Sequence, residues 1–443
     1  MVCESTMVRL LGGAQYRQAE MMAGRTVDCG QARLARMEAA AMNAHDRSTL
    51  EVDPLSAHDI ERLDRSTNLA EGLPGRAYYD PSFYEAERKH IFAAGWVGVG
   101  FASDIPNPGD VVPVSVAGYE LILVRLKDGS IKCYHNICRH RGMKLVKDKG
   151  NVRTIRCSYH CWTYGLEGNL LATPAIAGVN QNNAEDFDLA ELSLIEVRSG
   201  QYFDIIFANI DGKAVELETF LKPVRERVEG TFDFSLLKPA DPATGRGSRD
   251  FAVNWKIVLE GGIEDYHLPF VHKAFDHSKD YTSEIGGEVY SGFSSRRSLA
   301  EAQKRYATKA SDGNALPFFP VMEETGVAHA VILFIFPATI LTCTPSYVSV
   351  SLQLPRGPTL THYTSRTYFI GDAATAPEFK KLRDENTIYW KQVLDEDDGP
   401  WTQVQAMAPI REELNLPSRF SPHWEVALHN FQKTVAAKLN SAQ

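Results

Sequence analysis

The chain has 443 residues, a formal net charge of −9 and 44% hydrophobic residues. That length is enough for two domains with sizeable cores, and a negative balance without a basic cluster excludes a nucleic-acid partner. The longest apolar run, Ala330 to Leu341, is too short for a membrane span and contains Pro337, so it reads as buried strand. No membrane partner is expected, and seven Cys suit a reducing cytoplasm better than secretion.

Residues 1–65 are rich in Ala, Met and Arg, with Met21, Met22, Met37 and Met42 scattered through them. A helical extension, a transit-like leader and an upstream mis-start all stay open, although acidic residues weaken the leader. From Pro81 to Ala94 a helical pattern with Phe83, Ile91 and Phe92 precedes Trp96. Alternating strands follow at Val111–Val114, Glu120–Arg125 and Ile131–His135. A turn at Ala208-Asn209-Ile210-Asp211-Gly212 closes this part of the chain.

Between those marks lie two cysteine–histidine loops. Cys138-Arg139-His140 is followed, after sixteen residues, by Cys157-Ser158-Tyr159-His160. Two thiolates and two imidazoles from paired loops are the ligand set of a Rieske [2Fe–2S] centre, with two Cys on one iron and two His on the other. A tetrahedral zinc site uses the same residue types, but zinc fingers pair Cys with Cys and His with His. The flanks His140-Arg141-Gly142 and Trp162-Thr163-Tyr164-Gly165 agree with the iron–sulfur reading. Such a centre moves single electrons, so the chain needs a destination for them.

His267 and His272 supply a candidate. Two His with a carboxylate form a facial triad, the usual cage for Fe(II) with open positions. Five residues apart, they would point about 140° apart on a regular helix, so a break near Pro269 must bring them together. A helix over Asn254–Tyr266 precedes them, and strands at 328–354 and 360–370 follow. Ala376-Pro377-Glu378 opens a long helix and Ser421-Pro422 caps the last one. In that last helix Trp424, Leu428, Phe431, Val435 and Leu439 share one face, for core packing or trimer contact. Phe318, Phe319, Phe334 and Phe336 are candidates for a substrate pocket.

Residues 138–165 resemble the Rieske domain of the non-haem iron oxygenases, the terminal subunits of ring-hydroxylating and demethylating systems. The run Asn254-Trp255-Lys256 … Glu264-Asp265-Tyr266-His267-Leu268-Pro269-Phe270-Val271-His272 matches that family's NWK…(D/E)xYHxxxxH signature. The similarity runs from about residue 78 to the C-terminal helix. It implies an α+β fold: a small all-β Rieske domain over 76–209 and a larger helix-and-antiparallel-sheet catalytic domain (helix-grip or START-like) over 210–443. Residues 1–75 are then an N-terminal extension, with disorder as one option.

The resemblance also implies site residues. Cys138, His140, Cys157 and His160 hold the cluster, and His267 and His272 hold a mononuclear Fe(II). Family members carry an acidic pair with a large apolar residue four on and Gln eight on. Counting from Asp397 gives Trp401 and Gln405, which makes Asp397 the third ligand and Asp398 the fallback; the rest of Asp395-Glu396-Asp397-Asp398 reads as a solvated helix end. Glu264 stands where the family bridges its two metal centres between subunits of a homotrimer, so the implied electron path is His160 to Glu264 to His267. Asp265 is a rival for that role. Glu at this position resembles the members that act on quaternary amines such as carnitine and choline. Cys161 departs from the family's usual Gly, and it and Cys133 read as free thiols.

The expected function is therefore the terminal oxygenase component of a multicomponent Rieske oxygenase. It would use O2 and electrons from NAD(P)H to hydroxylate or oxidatively demethylate a small organic substrate, with quaternary amines preferred. An aromatic ring-hydroxylating dioxygenase alpha subunit is the alternative, and an electron carrier without oxygenase activity a distant one. Gly98-Val99-Gly100 and Gly245-Arg246-Gly247 both lack the third Gly of a dinucleotide loop, and there is no C-x4-C-x2-C run. Electrons are therefore expected from a separate NAD(P)H-dependent reductase, directly or through a ferredoxin.

Overall fold

The structure, a computed structural model, describes residues 54–185, 187–272, 281–306 and 315–440. It opens with α1 (Ala57–Leu63), where Ser56 and Asp59 cap each other reciprocally: the Asp59 N–H donates to Ser56 Oγ at 3.1 Å and the Ser56 N–H to Asp59 Oδ2 at 2.9 Å. Leu55, Leu63, Ala70 and Leu73 are buried in the main core. Residues 54–75, assigned above to an extension, are thus part of the packed body, while 1–53 lie outside the described residues. The reason is burial: four apolar side chains there find core partners that a local reading cannot see. Helix α2 (Pro81–Glu87) starts at Asp80, whose carboxylate accepts from the Ser82 N–H at 2.7 Å, and it runs into a π-helical turn at Arg88–Ala93.

The strands β1 (Val97–Phe101), β2 (Asp110–Val116), β3 (Tyr119–Arg125), β4 (Ile131–His135) and β5 (Gly150–Asn151) come next. A small sheet follows, of β6 (Ile155–Arg156), β7 (Thr163–Tyr164) and β8 (Leu170–Ala172), and then β9 (Glu196–Tyr202) and β10 (Ile205–Asn209). The larger sheet has the order β1-β10-β9-β4-β3-β2-β5 and is antiparallel throughout. Period-two alternation in β3 serves two cores at once. Leu121 and Leu123 enter the main core, whereas Ile122 and Val124 join Tyr134, Tyr164 and Leu166 in a second core beneath the cluster loops. The first Cys–His loop connects β4 to β5, and the second connects β6 to β7.

After α3 (Leu217–Val228) come β11 (Leu237–Pro239), β12 (Arg246–Phe251), α4 (Trp255–Ile263), α5 (Leu268–Val271), β13 (Tyr281–Gly286), β14 (Tyr290–Ser298), β15 (Val327–Ile335), β16 (Thr339–Cys343), β17 (Tyr347–Gly357) and β18 (Leu360–Ile370). These strands form an antiparallel sheet in the order β11-β18-β17-β16-β15-β14-β13, with β12 also paired to β18. The Ala330–Leu341 run falls on β15 and β16, as buried strand. The long α6 (Lys380–Glu413) follows a single 3-10 turn at Pro377–Phe379. Ser421 Oγ accepts from the Trp424 N–H at 3.2 Å but caps a separate turn, because α7 begins only at Val426 and runs to Asn440. In α7, Leu428, Phe431, Val435 and Leu439 are core residues.

Helix α4 is held from inside the protein. Lys256 and Glu87, both fully buried, form an ion pair, and Trp255 Nε1 donates to Glu87 Oε2 at 3.0 Å. Among the described residues no helix is long and apolar enough to cross a membrane.

Candidate metal centres

The two Cys–His loops are built alike. The Cys138 N–H donates to Met143 O at 2.8 Å and the Gly142 N–H to Cys138 O at 3.0 Å; the Cys157 N–H donates to Trp162 O at 2.8 Å and the Cys161 N–H to Cys157 O at 3.1 Å. Both loops turn on a residue with positive φ, +73° at Gly142 and +61° at Cys161. Glycine takes that conformation without strain and cysteine does not. Cys161 and Cys133 are both free, the first half-buried and the second buried.

These matched turns set the two histidines against each other and the two cysteines within reach of each other. The His140 and His160 rings lie 4.6 Å apart, and His140 stacks on Trp162 at 4.7 Å. Burial raises the Cys157 thiol above its usual range, while N–H groups of Tyr159 and His160 donate to its sulfur and favour the thiolate; the Cys138 thiol is in hydrogen-bonding reach. Tyr164 Oη lies 3.4 Å from Cys138 Sγ and accepts from the Arg139 N–H at 3.0 Å. Burial, with His160 and Arg141 nearby, lowers the His140 pKa and keeps its imidazole neutral. His160 Nδ1 is buried with no hydrogen-bond partner among the described residues. An orphaned ring nitrogen in a cysteine–histidine loop fits a metal-bound imidazole, so this donor set suits a two-iron cluster.

The second constellation is assembled from distant segments. Helix α4 stops at Ile263, so Glu264 is in extended backbone just past its end (φ −109°, ψ 153°) rather than on the helix expected over 254–266. After it comes the one-turn α5, with Pro269 in its first turn and His267 and His272 flanking it. That break brings the two His Nε2 atoms to 3.3 Å. From α6, Asp397 Oδ1 reaches within 3.1 Å of His272 Nε2 and 3.7 Å of His267 Nε2. The ligand atoms of all three residues lie within 4.8 Å of one another, spacing that suits one small cation.

The outer ring nitrogens are also held. His267 Nδ1 bonds to Glu264 Oε1, and Glu264 Oε2 accepts from the His267 N–H at 3.1 Å. His272 Nδ1 meets Glu396 Oε2 at 2.9 Å. Burial alone would lower the His272 pKa, but hydrogen bonds and charge from Asp397 and Glu396 raise it. Carboxylates on both sides of the imidazole thus favour positive charge here, as a divalent cation would supply. Asp265 does not take the place of Glu264: its Oδ2 is buried without a hydrogen-bond partner among the described residues, and burial raises its pKa.

Asp398, the fallback ligand, instead pairs with Arg249 at 3.1 Å, and Asp395 pairs with the same guanidinium at 2.7 Å. Glu396 is the functional residue that sequence reasoning missed, having been read as part of a solvated helix end. Each ligated His usually has an outer carboxylate or carbonyl partner, and the unassigned partner of His272 was the available signal.

Glu264, His267, His272 and Asp397 line the wall of a cavity of about 960 Å³. Ile332, Phe334 and Ile340 give it an apolar side, and Ser349, Ser351, Gln353 and Ser365 a polar one. Of the four Phe expected at the pocket, only Phe334 reaches it. Phe318, Phe319 and Phe336 are core: Phe319 packs on Phe232 and Phe336 on Trp255 and Phe431, all three lying in connections outside the strands that wall the cavity.

Two families match this chain: the Rieske [2Fe-2S] domain over residues 95–183 and the Ring hydroxylating alpha subunit (catalytic domain) over residues 243–441. A Rieske [2Fe-2S] domain is thus followed in this chain by the catalytic domain of the Ring hydroxylating alpha subunit. It is similar to the carnitine monooxygenase oxygenase subunit of Escherichia coli (strain K12), with 31% identity over 46% of this chain and 53% of that protein. It is also similar to the biphenyl dioxygenase subunit alpha of Paraburkholderia xenovorans (strain LB400), with 34% identity over 44% of this chain and 43% of that one. The matched stretches thus span about half the length of these curated relatives. In fold it resembles a quaternary ammonium Rieske monooxygenase crystallised with L-carnitine, with a TM-score of 0.68, 22% identity and coverage of 87% of this chain and 99% of that one.

Proposed function

We propose that this chain is the terminal oxygenase component of a multicomponent Rieske oxygenase, hydroxylating or oxidatively demethylating a small organic substrate with O2. The observation that carries this reading is the convergence of His267, His272 and Asp397 on the wall of a large cavity. When bound, a [2Fe–2S] cluster and Fe(II) supply the electrons for oxygen insertion. The chain's own residues do the positioning. Glu264 and Glu396 hold the outer nitrogens of His267 and His272, which sets both tautomers and turns each Nε2 toward Asp397. The cavity walls hold the substrate by shape beside that triad and limit water around it.

Electrons are proposed to arrive from NAD(P)H through a separate reductase, directly or by way of a ferredoxin. Their path runs from His160 through Glu264 to His267, with His160 contributed by a neighbouring subunit of a homotrimer. Exposed apolar side chains support such a contact. Ile137 and Tyr159 on the cluster loops are 42% and 55% exposed, and Tyr266 and Phe270 beside Glu264 are 47% and 80% exposed. We assign the protein to the cytoplasm, consistent with its free cysteines.

Among substrates, Glu264 and the similarity to a carnitine monooxygenase subunit favour quaternary amines. The apolar side of the cavity and the biphenyl dioxygenase relative keep an arene as the second reading. Iron and acid-labile sulfide per subunit, measured on anaerobically purified protein, test the proposal. Three irons and two sulfides are expected for one cluster and one mononuclear site. Two irons and two sulfides, unchanged by added Fe(II), would favour an electron carrier. Glu264→Gln should keep all three irons yet slow reoxidation of the reduced cluster by O2 and substrate.

A further inference from the structure

The cavity extends far beyond the metal ligands. On α6 it is lined by Leu382, Glu385, Tyr389, Val393, Asp397 and Trp401, three or four residues apart and so on one face. From Asp397 back to Leu382 that face covers about 22 Å of helix. The sheet gives a second ruler. On β17 the lining residues are Tyr347, Ser349, Ser351 and Gln353, alternate positions that span about 20 Å. Ladder pairing orders the other strands the same way. Phe334 pairs with Ile340 at the end nearest α4, where a Cβ on Gly262 would lie 2.8 Å from the Phe334 ring. Ile332 pairs with Thr342 in the middle, and Ala330 pairs with Ser295 farther out.

Away from the triad the cavity offers apolar surface. Phe293, Ala330, Ile332 and Leu394 all line it and are only half-buried, so a ligand there would cover them. Hydroxyls on the opposite wall bond within the protein. Ser349 Oγ donates to Arg366 O at 3.3 Å, Ser351 and Ser365 both bond to the Tyr363 hydroxyl, and Trp390 Nε1 donates to Tyr347 Oη at 2.9 Å. Charges are paired as well. Arg246 meets Asp104 at 3.2 Å, Arg249 meets Asp395 and Asp398, Lys391 meets Asp395, and Glu385 lies 3.8 Å from Lys381. At about 960 Å³ the cavity stands at the top of the roughly 300–1,000 Å³ range of sites that enclose drug-sized ligands. A molecule of few heavy atoms at the triad would leave most of it to water.

We propose that the cavity is a channel for an extended substrate, with the group to be oxidised at His267, His272 and Asp397 and an uncharged apolar tail running along α6 toward Leu382 and Tyr347. The substrate is then about 20 Å long. This rests on the cavity being the oxygenase's substrate site, and it adds the substrate's length and the character of its far end. A trimethylammonium group on a long chain fits, and so does an arene that carries one. A short zwitterion such as carnitine does not, because its carboxylate would lie against apolar walls with no free cation to meet it.

The test is equilibrium binding of two homologous series to the iron-loaded protein, n-alkyltrimethylammonium ions and n-alkylbenzenes, below micelle-forming concentrations. In at least one series affinity should rise roughly three- to fourfold per added methylene, the transfer value of a buried CH2, and level off once the molecule spans about 20 Å. Ala330→Phe, which narrows the channel midway, should bring that levelling to shorter chains. Should this variant fail to fold, Leu394→Trp narrows it from the α6 side and carries the same comparison. Affinities that do not rise with chain length in either series, no binding of any probe, or a levelling point that neither variant moves overturns the channel. Oxygen uptake with a surrogate reductase separates this from the oxygenase reading. Chain-length-dependent binding with no oxidation of any probe would count against that reading and leave the channel standing; oxidation of short members with flat affinities would do the reverse.

Discussion

Glu396 Oε2 lies 2.9 Å from His272 Nδ1, although 124 residues separate the two in the chain. With Glu264 on His267, it gives each histidine of the triad its own outer carboxylate. The arrangement sets ring orientation and raises the basicity of the inward nitrogen. Replacing Glu396 by Ala should weaken Fe(II) affinity at the mononuclear site roughly 10- to 100-fold. Iron titration of the variant would read this, and its Rieske visible spectrum should not change.

Cys161 occupies a left-handed position at φ +61° that its counterpart Gly142 fills without strain. Cys161→Gly should therefore stabilise the loop by about 1 kcal/mol, with a small offset from losing the 2.9 Å contact between Arg156 and the sulfur. Denaturation followed by loss of cluster absorbance is the suitable measurement. A lower midpoint for the variant would mean that the sulfur contact outweighs the backbone strain.

The buried pair of Lys256 and Glu87 makes a different prediction. Burial disfavours the charged form of each, and each charge supports the other. Lys256→Met would leave Glu87 uncompensated and should cost roughly 3–5 kcal/mol in a urea denaturation. Adding Glu87→Leu should recover much of that loss, since an apolar pair needs no partner charge.

Glu260 links stability to pH. It accepts hydrogen bonds from Tyr78 Oη and Gln432 Nε2, each at 2.9 Å, and burial pushes its pKa from 4.5 to about 7. Between those values the folded protein holds a proton that the unfolded chain has released, so this group's contribution falls as pH rises through that window. Across it the wild type should lose about 3 kcal/mol relative to Glu260→Gln, which has no such proton to lose. Denaturation midpoints of the two proteins at several pH values would show parallel profiles if the carboxyl is not shifted.

Much of the site was legible because ligand chemistry is local. The spacing of Cys138 to His140 and of Cys157 to His160 is a property of single loops, and His267 with His272 flanks one broken turn at Pro269. The position of Asp397 was reachable only through its spacing to Trp401 and Gln405. Nothing local distinguishes four consecutive acids.

By itself, then, the sequence determined the ligand types, their order along the chain, the alternating strands around the first loop pair and the family to which they point. These depend on neighbours a few residues away, where backbone geometry and side-chain period act directly. The tertiary structure decided which acid does what. Helix phase in α6 turns Asp397 and Glu396 toward the histidines, while Arg249 draws Asp395 and Asp398 away. It also decided that residues 54–75 join the core and that Phe334 alone of the four Phe lines the cavity. Those outcomes depend on contacts between segments far apart in the chain, and only the packed fold brings such segments together.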